Sequence, residues 1–180
     1  MKDQKMFQKM ILTILCLPVV FSCAAKPARL PDLRSIHPDL KTPEMIDAAP
    51  AAGKRVKQVA PEYKGTEVYH ALYLPTDWKP GQKKKYPVIV EYAGNGPYRN
   101  GYGDVSTGKV QGSNLGYGIS GGKGFIWLCL PYVNSKTKTN QRQWWGDVEA
   151  TVEYCKNTVP RICKAYGGDP SKVILVGFSR

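Results

Sequence analysis

The chain has 180 residues, of which 42% are hydrophobic and 22% charged, and its formal net charge is +12. That balance fits one ordinary globular domain with a sizeable core and excludes a fibrous or largely disordered chain. The basic residues are scattered, apart from Lys83-Lys84-Lys85 after Pro80-Gly81, which reads as a solvated turn. The charge therefore does not mark a nucleic-acid surface.

Lys2, Lys5 and Lys9 precede an apolar run from Met10 to Phe21, and the small residue Ser22 stands before Cys23. A basic start, a short apolar run and a small residue at the cut predict a secretory signal peptide over residues 1–22. The run is shorter than the roughly 18 to 20 residues that span a bilayer, so it reads as a removable address. Val20-Phe21-Ser22-Cys23 resembles the lipobox of bacterial lipoproteins. The resemblance implies a lipid on Cys23, export across the bacterial inner membrane, and a periplasmic or cell-surface location with the membrane as a partner. Removing the signal lowers the net charge to +10, and an exported chain has no nucleic-acid partner.

Residues 23–60 are rich in proline and alanine without a sustained apolar period and read as a lipid-anchored or flexible lead-in. The domain is expected over residues 61–180. Glu67 to Leu74 is a run of β-formers ended by Pro75 and predicts a strand that contains His70. Tyr86 to Tyr92 (YPVIVEY) and Gly124 to Leu130 (GFIWLCL) are short continuous apolar runs, the pattern of strands buried on both faces. The glycine-rich stretch between them, residues 94–124, is long for a connection without a task. Its Gly116-Tyr117-Gly118-Ile119-Ser120-Gly121 matches a dinucleotide fingerprint in letters, but a strand follows it where a helix is needed. No cofactor is predicted. Tyr98, Tyr102, Tyr117, Trp144 and Trp145 either line a substrate cleft suited to sugars or aryl groups, or pack as core and loop.

Asp147 opens a helical pattern in which Val148, Val152, Cys155, Val159, Ile162 and Tyr166 recur at steps of three or four, with a kink expected at Pro160. Gly167-Gly168 ends it, Asp169-Pro170-Ser171 makes a turn, and Lys172 to Val176 is a further buried strand that runs into Gly177. These elements predict an α/β fold with a mostly parallel central sheet flanked by helices. Once Cys16 leaves with the signal and Cys23 is lipidated, Cys129, Cys155 and Cys163 remain. The last two are eight positions apart on one helix, about 12 Å, beyond disulfide reach. Free thiols are expected, and no histidine or cysteine spacing suggests a metal site.

The chemistry concentrates in Gly177-Phe178-Ser179-Arg180. A serine at a sharp turn after a buried strand is thrust out from the sheet's carboxyl edge, with glycine two positions earlier relieving the crowding. Four of the five positions of G-x-S-x-G are present. In this context, after a helix, a double glycine and an Asp-Pro turn, GGDPSKVILVGFSR resembles the nucleophile elbow of the α/β-hydrolase superfamily. Within it the likeness is to secreted esterases and prolyl-oligopeptidase-like peptidases.

The resemblance implies that residues 61–180 are the N-terminal half of such a fold, with Ser179 as acylated nucleophile. It also implies an oxyanion hole built from the backbone N–H of Arg180 and of Asn95 or Gly96. His37 and His70 precede the serine, where the family's order of serine, acid and histidine gives them no part. The expectation is a chain that stops one residue past its nucleophile, is inactive by itself, and exposes an apolar sheet edge. The activity it implies is hydrolysis of a small-molecule or glycan-linked carboxylic ester. The alternatives are a prolyl-oligopeptidase-type serine peptidase and a non-catalytic glycan-binding lipoprotein.

Overall fold

The computed structural model describes residues 30–32, 35–37, 39–101 and 103–180. The chain divides into two compact units, residues 1–37 and 38–180. Of the first, the described residues include a turn in which the N–H and Oγ of Ser35 both donate to the carbonyl of Asp32. The predicted signal at 1–22 and the lipidation site Cys23 lie outside the described residues, as does Tyr102.

The second unit is built on a six-stranded sheet. Its strands are β1 (Met45–Ile46), β2 (Arg55–Gln58), β3 (His70–Tyr73), β4 (Tyr86–Tyr92), β7 (Ile126–Leu130) and β10 (Gly168–Gly177), in the order β1-β2-β3-β7-β4-β10. Short hairpins β5–β6 (Tyr98–Arg99 with Val105–Ser106) and β8–β9 (Tyr132–Asn134 with Thr139–Gln141) project from it. Among the described residues two α-helices accompany it, α1 (Leu115–Ser120) and α2 (Val148–Tyr166).

The expected α/β class holds, with a mixed sheet. The pairs β7–β4 and β4–β10 are parallel, whereas β3 runs antiparallel to both β2 and β7. The sheet also begins before residue 60, because β1 and β2 come from the stretch expected to be a lead-in. Val56 there is fully buried, paired with Leu72 across the β2–β3 ladder and part of the same core cluster as Leu74.

The alternation of the central strands fixes the layers. Tyr86, Val88 and Val90 of β4, with Ile126, Leu128 and Leu130 of β7, face α2, where Tyr154, Val159, Ile162 and Cys163 close the larger core. Ile89, Trp127 and Cys129 face the other way and pack under Val110 and Tyr117. At about 1.5–3 kcal/mol for each fully buried aliphatic side chain, these two faces supply the main drive for folding.

Helix α2 starts where Asp147 Oδ1 accepts the N–H of Ala150 at 3.0 Å, and it ends at Gly167, left-handed at φ 76°, whose N–H returns to Cys163. Pro160 sits inside one continuous helix. The expected stripe holds at Val159 and Ile162, which are buried, and at Cys155 and Tyr166, which pack half-buried against the core, whereas Val148 and Val152 at the start of the helix are exposed and Thr151, Tyr154 and Thr158 face inward. Hydrogen bonding explains the inward position of Thr151, whose Oγ1 accepts the N–H of Val133 at 2.9 Å and donates to the carbonyl of Asp147 at 2.7 Å.

Strand β10 forms the sheet's edge. It pairs with β4 from Val173 to Gly177, with a register irregularity back to Gly168, and leaves Val173, Ile174 and Leu175 exposed. The three cysteines among the described residues are free thiols.

His70 occupies β3 as a packed residue, 3% exposed, its Nδ1 sharing a 2.8 Å hydrogen bond with the Tyr154 hydroxyl while Nε2 has no partner. Burial, with the nearby Arg161 charge, pushes its pKa down to about 4 from 6.5. The fold therefore accepts the neutral ring, and below pH 6.5 the unfolded chain binds the extra proton. The stability tied to neutral His70 is whole above pH 6.5 and drains away as the pH falls toward 4, by about 3 kcal/mol in all. Thermal unfolding followed from pH 7 to 4.5 should show a steeper loss of stability in the native protein than in His70→Gln. Asp77, Asp147 and Asp169, whose carboxyls are held low by hydrogen bonds, contribute equally to both.

Candidate active site

Ser179 follows the carboxyl end of β10, next to the end of β4. Its φ is 68°, left-handed, and the N–H of Arg180 closes back on the carbonyl of Phe178 at 2.8 Å. A three-residue turn around a non-glycine residue at positive φ is a γ-turn of the rare, strained kind. The serine is exposed, and its hydroxyl makes no hydrogen bond among the described residues. Sequence reasoning thus predicts the sharp turn correctly, although Gly177 is not crowded: a Cβ there would meet only ordinary contacts at 3.8 Å.

The crowding falls on Gly94 instead. A Cβ on Gly94 would lie 2.6 Å from the Phe178 ring and 3.0 Å from its carbonyl oxygen, so the elbow rests directly on the backbone of the loop after β4. Of the donors expected in that loop, Gly96 is spent. Its N–H donates to the carbonyl of Arg142 at 3.0 Å, and its Cα is packed against the backbone of Thr107 and Gly108. The N–H of Arg180 is likewise taken by the turn itself. The N–H of Asn95 makes no hydrogen bond among the described residues and is the one free donor of the three.

A feature that sequence alone does not reveal surrounds this loop. The guanidinium of Arg180 donates from Nε to the carbonyl of Ala93 at 3.0 Å and from Nη1 to Asn95 Oδ1 at 3.2 Å. It also donates to the carbonyls of Trp144 and, at 3.4 Å, Gln141, and stacks 4.0 Å over the Tyr132 ring. The only available hint was an arginine beside the serine.

Beneath the loop, Glu91 of β4 is buried and accepts four N–H groups. Asn114 and Leu115 donate to Oε1, each at 3.1 Å, and Gly116 and the Trp127 indole donate to Oε2, each at 2.8 Å. Arg55, also buried, donates to the carbonyls of Val110 and Ser113 and lies 4.4 Å over Trp127. Together they fix the glycine-rich stretch, which folds into β5–β6, a 3-10 turn at Val110–Gly112 and α1. Gly116 is required there, since a Cβ would come within 2.2 Å of the Trp127 indole.

Between this stretch and the elbow lies a cavity of about 370 Å³ reaching from Gly94 and Phe178 to Asn100, Asp104, Thr107 and Lys109. Of the aromatics proposed for a cleft, Tyr98 lines this cavity and is exposed, Trp144 and Trp145 are exposed, and Tyr117 packs in the core against Tyr73 and Trp127. Among the described residues no group of side chains could hold a metal.

No family model matches the chain, and no curated protein does. Among solved structures, the crystal structure of a thermostable esterase is similar at 18% identity and a TM-score of 0.37, over 69% of this chain and 34% of that one. The chain thus spans about a third of that protein's length, and a likeness at this level decides neither family nor activity.

The packing at Gly94 is directly testable. Gly94→Ala must displace Phe178 and should lower stability by about 1–3 kcal/mol. Gly118→Ala, inside α1 with nothing within 4 Å of its Cβ, should raise stability by about 0.5–1 kcal/mol. Chemical denaturation of the two variants reads both signs.

Proposed function

We propose that this chain belongs to an exported serine hydrolase of the α/β-hydrolase type that cleaves carboxylic esters through an acyl-enzyme on Ser179. The observation that carries the reading is the left-handed turn at Ser179, placed on a parallel strand's carboxyl end with its hydroxyl open to solvent. Such strain in a non-glycine residue persists only where the surroundings impose it, and it is the geometry a nucleophile needs to stand clear of its own backbone. In this reading Ser179 Oγ attacks the ester carbonyl and gives its proton to a base. The tetrahedral oxyanion is received by the N–H of Asn95, joined by that of Arg180 once it leaves the carbonyl of Phe178. Collapse expels the alcohol, and water then hydrolyses the acyl-serine.

The base is neither His37 nor His70; the latter is sealed in the core against Tyr154. The cavity beside the elbow, lined by Tyr98, Val105, Leu115 and Phe178 as well as by Thr107 and Lys109, is where the group carried by such an ester would lie.

A fluorophosphonate probe, applied to the complete product of the gene encoding this chain, should label it at Ser179, and Ser179→Ala should abolish labelling. A folded, unlabelled protein would instead favour a glycan-binding lipoprotein. Export and lipidation rest on residues 1–23. Cys23→Ala should lose incorporation of labelled fatty acid and move the protein from the membrane to the soluble periplasmic fraction. Unchanged fractionation would remove Cys23 as the anchor.

A further inference from the structure

We infer that the Arg180 side chain is a positioning residue for the oxyanion donor, locking Asn95 and its loop to the nucleophile turn. The inference rests on the hydrolase reading above and adds a role for a side chain that the G-x-S-x-G pattern leaves open.

Four observations converge on it. First, four of the five guanidinium N–H groups are committed to acceptors on Ala93, Asn95, Trp144 and the last residue of β9, Gln141, and none to a carboxylate. A half-buried guanidinium is thus used as a geometric fork, matched to carbonyls from two separate loops. Second, Asn95 Oδ1 receives both Arg180 Nη1 and, at 2.6 Å, the N–H of Trp144, so the Asn95 side chain is held from two sides while its backbone N–H stays unused.

Third, Trp144 is itself left-handed at φ 58°. A bulky side chain in that region is an outlier that needs outside support. The support is this cluster, since its N–H goes to Asn95 and its carbonyl accepts from Arg180. Fourth, the contact to Ala93 joins the start of the loop to the residue directly after Ser179, so nucleophile and donor share one rigid link. A donor aimed in advance at the developing charge acts without reorganising during the reaction, which is where such a clamp would show its effect.

The test uses the complete gene product and compares the native protein with Arg180→Ala, Arg180→Lys, Asn95→Ala and the double variant Arg180→Ala/Asn95→Ala. The readouts are the fluorophosphonate labelling rate, kcat and KM on p-nitrophenyl acetate, melting temperature, and amide exchange at residues 93–95 and 144. A positioning role predicts that Arg180→Ala lowers labelling rate and kcat by about 10–100-fold with KM little changed. It also predicts faster exchange in those amides, and failure of Arg180→Lys to rescue, because a point charge cannot span four acceptors. The double variant should be no slower than the worse single one, since both changes break one unit.

A native protein labelled at Ser179, with Arg180→Ala labelled equally fast or its loss additive with Asn95→Ala, overturns the clamp alone. Full rescue by lysine overturns it too, leaving only a role for charge. A folded native protein that is not labelled overturns the hydrolase reading, and the role given to Asn95 falls with it.

Discussion

The carboxylate of Glu91 sets the centre of this structure. It sits on the middle strand of the parallel half of the sheet, buried, with all four of its hydrogen bonds coming from N–H groups. An unpaired carboxylate at that depth would cost several kcal/mol, so its presence requires the donors to stay in place. Three of them are successive backbone amides at the start of α1, and the fourth is the indole of Trp127 on β7. Helix α1 has only six residues, too few to hold itself by propensity. Glu91 and the seat that Gly116 provides for Trp127 therefore determine where the glycine-rich stretch lies, and with it one wall of the cavity beside Ser179.

Strand β4 links that wall to the turn at Ser179. Glu91 is two residues from Ala93, whose carbonyl receives Arg180, and three from Gly94, against which Phe178 rests. A disturbance at Glu91 should therefore reach the elbow through a handful of backbone atoms. On the far side Arg55 plays the corresponding part, reaching from β2 to the carbonyls of Val110 and Ser113. Two buried charges of opposite sign, both in contact with Trp127, thus brace the same segment from two strands. Neither touches the serine, yet both decide how rigid its surroundings are.

Much of the fold was legible because the central strands announce themselves. YPVIVEY and the IWLCL part of the second run are continuous apolar stretches bounded by turns, too short for a helix and rich in β-branched and aromatic residues, which marks doubly covered strands, and Asp147 caps its helix as its position suggests. The misjudged parts have specific physical reasons. Residues 45–58 pair into the sheet through very short strands that leave no periodic trace. The buried face of α2 departs from its apolar pattern only in the first two turns, where Val148 and Val152 point to solvent while Thr151 goes inward to meet the N–H of Val133. The sharp turn at Ser179 could be found from its strand and glycine context. The sequence could not show that Gly96 spends its N–H on Arg142, or that Arg180 reaches back to Ala93, since both depend on loops more than 30 residues apart folding against each other.

The turn at Ser179 shows why those loops matter. A non-glycine residue at φ 68° carries strain on the order of 1–3 kcal/mol, and its γ-turn hydrogen bond is too bent to repay it. The offset must come from either side. Before the serine, β10 is held by its ladder to β4, and Phe178 packs closely against Gly94. After it, Arg180 distributes four donors over two loops and a tyrosine face, each hydrogen bond contributing about 0.5–1.5 kcal/mol net. Those contributions are of the size needed to hold both Ser179 and Trp144 in left-handed conformations. The same set of contacts that stabilises the strained turn also aims the loop beside it, so at this site stability and geometry cannot be changed independently.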